Sequence, residues 1–231
     1  MMPDPIMHER ITCDNRLQDG WAECFLAMAR TLNDRFGIEG RAVVREGVRR
    51  YAAVLGTRRR AELLETGNKA NLESVFSCGF GLACGEHSRK EWIRCTEQEF
   101  FFNVLSCPYS DFWMARDATD LGIMFCEEYY PALVHAATSE KAQINLGHTM
   151  INGRENFCRL SFYLRPTNLD PAQRAECFPE HDLSGKEPGP LPSYSPDYAE
   201  LKKLLYETFR QAARDLQGEA AVAALEEVLR A

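Results

Sequence analysis

The 231-residue sequence has no stretch approaching the ~18 consecutive apolar residues of a membrane span, so a transmembrane helix is not expected. Met1 to Arg16 carries polar residues throughout and lacks the apolar centre of a secretory signal. Positive charge is also short. Lys plus Arg is 27 against Asp plus Glu 34, a net −7, which gives no electrostatic reason to expect nucleic acid or an anionic membrane as partner. There is no CxxC, no HExxH and no His-rich cluster, and the spacing of Cys78, Cys84 and His87 is not a zinc rhythm, so no metal and no cofactor is expected. GxGxxG, GxxxxGK[ST] and GxSxG are all missing. The glycines at 79, 81 and 85 therefore read as an irregular loop and not as a phosphate cradle.

What is abundant is cysteine. Nine are present, an odd number at irregular spacing: 13, 24, 78, 84, 95, 107, 126, 158 and 177. With a cytoplasmic location expected, these read as free thiols, and most free cysteines are small buried hydrophobes. Apolar residues are 45% and charged residues 26%, the balance of a globular chain.

Trp21, Phe25, Met28, Leu32 and Phe36 recur at helical spacing, and Val44, Val48, Tyr51 and Leu55 continue it after Gly37 and Gly40. A third helix is expected around Arg59 to Thr66, stopping at Gly67. The period then changes. Glu91 to Thr96 and Glu99 to Leu105 read as strands, the second so apolar that both its faces are expected to be covered. Helices follow from Pro108 to about Met114 and from Asp117 to Tyr130, where Pro131 bends or ends the second. Ala142 to Ile151 and Asn156 to Arg165 form a hairpin around Asn152-Gly153, with both sides apolar. The tail from Asp197 to Arg230 returns to helix, with stripes Leu201/Leu205/Phe209/Ala212/Leu216 and Val222/Leu225/Leu229. The fold class is α+β: N-terminal helices, an antiparallel sheet of about four strands with inserted helices, and a C-terminal helical tail.

Cys107 is the thiol with most chemical promise. It closes a strand and directly precedes Pro108, which places it at a helix N-cap where free amides and the helix dipole favour thiolate. The alternative is a structural cysteine in the core. Cys126 shares a helical stripe with Gly122, Tyr129 and Leu133, while Glu127 and Glu128 point ~100° apart, so at most one faces a pocket. In the hairpin, Cys158 falls on the face of Gly147 and Thr149. His148 falls on the other face with Phe157 and Arg159, and so is not placed to serve as base for Cys158.

Three motifs occur in order: Phe101-Phe102-Asn103-Val104-Leu105-Ser106-Cys107-Pro108, then Leu121-Gly122-Ile123-Met124-Phe125-Cys126, then Asn152-Gly153-Arg154-Glu155-Asn156-Phe157-Cys158-Arg159-Leu160-Ser161-Phe162. Together they resemble the L-2-amino-thiazoline-4-carboxylic acid hydrolase family over roughly residues 20 to 165. The resemblance implies hydrolysis of a non-peptide carbon–nitrogen bond that opens a small cyclic amidine or amide. Cys107 would be the nucleophile or would polarise water, and Glu128 or Glu127 would be the acid/base. Cys126, Cys158, Tyr109 and Asn103 would line the substrate site, and Arg154 or Arg159 would hold a substrate carboxylate. Two positions depart from the family pattern: Tyr129 where an acid often stands, and Arg154 where Asp often follows the glycine. The alternative is a ligand-binding or sensor module without turnover. Residues 1–165 are expected to form the α+β domain, 166–196 an extended linker rich in proline and glycine, and 197–231 a tail packed on the same domain.

Overall fold

The first helical element, α1 (Asn15–Glu65), is folded back on itself at Gly37, whose φ of 57° and ψ of −128° favour a residue without Cβ. At Gly40 a Cβ would stand 1.9 Å from the carbonyl oxygen of Leu32, so the turn is tight. The two arms run side by side, and Trp21 on the first meets Tyr51 on the second with ring centroids 6.0 Å apart. The structure is a computed structural model and describes residues 15–77, 88–152, 155–182, 187–193 and 195–230. The glycine-rich loop, with Cys78, Cys84 and His87, and the Gly153-Arg154 pair lie outside the described residues.

The third predicted helix is the end of the second arm, with Gly56 inside it. A Cβ at Gly56 would lie 2.3 Å from the Leu133 carbonyl oxygen and 2.8 Å from Ala136 Cβ. That close approach lets α1 lie directly on α4 (Thr119–Ala137). The fit carries a prediction: Gly56→Ala forces the two helices apart and costs about 2–3 kcal/mol, read as a lower urea midpoint at unchanged slope. Helix α4 also passes through Pro131, where the sequence predicted a bend or an end. The lost hydrogen bond and ring clash cost roughly 3 kcal/mol. Burying Leu133, Val134 and Ala137 beyond the proline outweighs that, at about 1.5–3 kcal/mol for each of the larger side chains.

Four antiparallel strands follow: β1 (Arg89–Cys95), β2 (Glu99–Ser106), β3 (Gln143–His148) and β4 (Cys158–Tyr163), in the order β1-β2-β4-β3. The fold is therefore α+β, with α3 (Pro108–Met114) and α4 inserted between β2 and β3. Period-2 alternation sends Phe100, Phe102, Leu160 and Phe162 to one face. That face is covered by α2 (Leu72–Ser77), whose Phe76 stacks on Phe100 at 4.5 Å, and by α4, whose Tyr130 lies 6.3 Å from Phe162. The other face is not covered as predicted. Phe101 is only half-buried, resting on Tyr163 at 5.0 Å, and Ile93 is exposed. The β3–β4 connection is longer than the predicted Asn152-Gly153 turn. It occupies residues 149–157 and includes a 3-10 turn at Met150–Asn152.

Beyond β4 the chain makes α5 (Pro171–Cys177), opened by a capping box in which Asp170 accepts from the Gln173 amide. Cys177 and Phe178 behind it are fully buried. Asp197 caps α6 (Tyr198–Gln217) by accepting from the amides of Ala199 and Glu200, and Gly218, at φ 75°, separates it from α7 (Glu219–Arg230). Phe209 on α6 meets Phe25 at 6.1 Å, so these helices share a core with α1, whereas Leu216 of the predicted stripe is exposed. Among the described residues no helix is long and apolar enough to cross a membrane.

Candidate active site

Cys107 occupies the N-cap of α3 with an extended backbone, as β2 hands over to the helix at Pro108. Cys126 comes from the middle of α4, and Cys158 opens β4 directly opposite Val104 of β2. These three elements bring their thiols within electrostatic reach of one another. The Cys158 sulfur also accepts a hydrogen bond from the Met150 amide at 3.2 Å. Two residues absent from the sequence reading join them. Tyr130 lies one turn after Cys126 on α4, and its phenol feels all three thiols. Lys90 sits on the covered face of β1 opposite Val104, only 6% exposed, and its charge acts on Cys107.

Cys107, Cys126, Cys158 and Tyr130 are each packed against the core yet keep accessible surface. Burial pushes up the pKa of every one of them. All four are thus half-buried at the end of the covered sheet face. For Cys107 burial is the largest influence and pushes the thiol up to about 11. The Ser110 and Tyr109 amides and Lys90 pull it down and the Cys158 thiol pushes it up, all by less. This corrects the expectation of a thiolate. The helix behind the cap is short, and desolvation of a buried anion outweighs what the Ser110 and Tyr109 amides give the sulfur. The free protein therefore holds Cys107 as a thiol at neutral pH. Iodoacetamide should label it about tenfold faster for each pH unit between 7 and 10, with no plateau at neutrality, as followed by peptide mass spectrometry. A plateau below pH 8 would contradict the burial argument.

The remaining predicted residues are held mainly by other partners, although Tyr109 feels Cys107 and Glu127 acts on Cys126. Glu128, 12% exposed, is gripped by Arg45 and Arg49 of α1, each at 2.5 Å. Glu127 pairs with Arg45 at 3.2 Å, although its charge reaches Cys126. Tyr109 is buried among aromatic rings, 5.2 Å from Trp21 and 5.7 Å from Trp113, with its hydroxyl coupled to Tyr198. Asn103 and Arg159 face the other side of the sheet, because each is one residue along from the inward Val104 and Cys158. There Asn103 donates to Glu91 at 2.8 Å and accepts from Arg159 Nε at 3.2 Å. His148 pairs with Arg159, stacks near Phe157 at 5.5 Å and lies 3.3 Å from Glu155, turned from Cys158. Gly122, within the second motif, lets Trp113 pack closely on α4: a Cβ there would sit 2.4 Å from the indole.

Helical spacing from Cys126 was read toward Tyr129 and Leu133 and passed over Tyr130, four residues on. Strand alternation pointed to Lys90, two residues before the inward Trp92, but only for a strand begun at Arg89. Among the described residues no group of three or more His, Cys, Asp or Glu is placed to hold a metal ion.

A four-stranded antiparallel sheet covered on one face by α2 and α4, with the helical hairpin α1 packed on α4, defines the structural class. Residues 21–162, more than half of the chain, match the family profile described as L-2-amino-thiazoline-4-carboxylic acid hydrolase, and the protein belongs to that family. The match ends within β4 and spans Cys107, Cys126 and Cys158. No curated protein and no solved structure matches the chain.

Proposed function

We propose that this protein is a hydrolase acting on a non-peptide carbon–nitrogen bond, opening the ring of a small cyclic amidine or amide of the aminothiazoline-carboxylate kind. The observation that carries this reading is the convergence of half-buried Cys107, Cys126 and Cys158 with Tyr130 at the end of the covered sheet face, inside the segment that shows the family.

Cys107 Sγ adds to the sp2 ring carbon and converts one difficult step into two easier ones. Because the sulfur is a thiol in the free protein, its proton must leave as the S–C bond forms. An amidine nitrogen is basic and accepts a proton at that moment. Collapse of the adduct expels a ring heteroatom, which opens the ring. Water then releases the product from sulfur, with Glu127 as base and Arg45 as its counter-ion. Among the described residues Lys90 is a cation on the thiol side of the sheet and meets the substrate carboxylate, a role that Arg159 would have to fill from the opposite face.

The test is ring opening across a panel of cyclic amidines, lactams and hydantoins, followed by mass spectrometry. Turnover of a carboxylated cyclic amidine is expected. Binding of the panel without turnover of any member would replace the hydrolase with a ligand-binding module.

A further inference from the structure

An open cavity of about 370 Å³, the size of a small-molecule pocket, lies at the other end of the sheet from Cys107. The eight residues of β2, about 25 Å of strand, separate the two. Its walls come from the β1–β2 turn at Glu97, from residues 67–74 at the start of α2, and from the chain beyond α5. The Leu72 amide donates to the Glu97 carbonyl at 3.2 Å and ties the first two together.

Asn71 on this wall is only 2% exposed. Its carboxamide oxygen accepts from the Ser74 amide at 2.9 Å, which fixes which end is nitrogen. Among the described residues Nδ2 donates to nothing, yet it is not one of the sealed polar atoms, so its free hydrogens open onto the cavity. The neighbouring Asn68 differs: its Nδ2 donates to Thr66 Oγ1 at 2.9 Å and to the Gly189 carbonyl at 3.2 Å. Opposite in character is Glu97, a half-buried carboxylate that makes no ion pair with any described residue. Burial, Glu180 and Glu73 all push its pKa up, as expected of a carboxylate lacking a counter-ion. Lys69 does not supply one, because its ammonium is held by Asp182 at 2.5 Å and by the Ala175 carbonyl at 2.8 Å.

We propose that this cavity binds a small primary ammonium compound that also carries a carbonyl, the chemistry of an amino-acid amide. The ammonium meets Glu97, and the carbonyl oxygen accepts from Asn71 Nδ2. A free amino acid is disfavoured, because its carboxylate would face the Glu97, Asp182 and Glu187 carboxylates of the same wall. The site stands apart from the thiols and does not depend on the ring-opening reading.

The experiment titrates the full chain at pH 7 with L-alaninamide, L-alanine and N-acetyl-L-alaninamide, by calorimetry and saturation-transfer NMR. Alaninamide should bind at least about tenfold more tightly than either other probe, since one adds a carboxylate and the other lacks the ammonium. Glu97→Gln, and Asn71→Ser, which keeps a capping oxygen but removes Nδ2, should each weaken alaninamide at least about tenfold, with the urea midpoint checking the fold. Equal affinity for the three probes overturns the proposal, as does no binding of alaninamide at about 10 mM, and both results come from wild type alone. Binding within about threefold of wild type in either variant also overturns it.

Discussion

Cys107→Ser leaves ring opening at least about 10³-fold slower than wild type, with the urea midpoint nearly unchanged. The size follows from the atom removed. Serine oxygen holds its proton far more tightly than sulfur does, and burial already penalises anions enough to push the Cys107 thiol to about 11. The fold has little reason to object, because serine is itself a favoured N-cap residue, able to accept from the Tyr109 and Ser110 amides. Single-turnover mass spectrometry supplies the second readout. Wild type should carry a covalent adduct on the peptide containing Cys107, and the variant should carry none. Wild-type-like turnover by the variant would move the nucleophile to another group.

Lys90→Met raises KM for a carboxylated cyclic amidine by about 10²–10³-fold and leaves KM for an uncharged lactam within a few-fold. A buried ammonium facing a carboxylate makes a charge-assisted hydrogen bond away from bulk water, and truncating one partner of such a pair costs roughly 2–5 kcal/mol. Lys90 is 6% exposed and lies on the thiol side of the sheet. Methionine keeps most of the length and the apolar stem, so packing around Trp92 and Val104 changes little. Arg159→Met is the control, since Arg159 is exposed on the opposite face and bonded to Asn103. If Arg159→Met raises KM and Lys90→Met does not, the carboxylate binds from the other side of the sheet.

The helices and strands were legible because burial is periodic. Trp21 to Phe36 and Val44 to Leu55 carry the helical spacing, and Phe100 to Phe102 with Leu160 to Phe162 carry the strand spacing. Pro131 does not end α4, because a local rule about one hydrogen bond met a helix whose last turns are buried on α1. The role of Gly56 shows only once α1 and α4 are packed together, where it meets the Leu133 carbonyl. For the site, the three short motifs placed Cys107, Cys126 and Cys158 on elements that do converge. Period-2 alternation, applied strictly to the Asn103-Val104 and Cys158-Arg159 pairs, already separates Asn103 and Arg159 from those thiols. The ion pairs of Glu127 and Glu128 had no counterpart in the motif pattern, because Arg45 and Arg49 lie on an element far away in the chain.

The strand order β1-β2-β4-β3 has a kinetic corollary. Strand β2 cannot gain its second neighbour until α3, α4 and β3 have all been synthesised, and that neighbour bears Cys158. The α1 hairpin closes over short loops and forms early, whereas the β2–β4 ladder is a long-range closure and forms late. On the nascent chain Cys107 and Cys126 emerge well before the strand that shelters them arrives. The window in which an oxidant or electrophile reaches these sulfurs most easily is thus the folding reaction itself, and refolding yield should depend on added reductant far more than the finished protein's activity does.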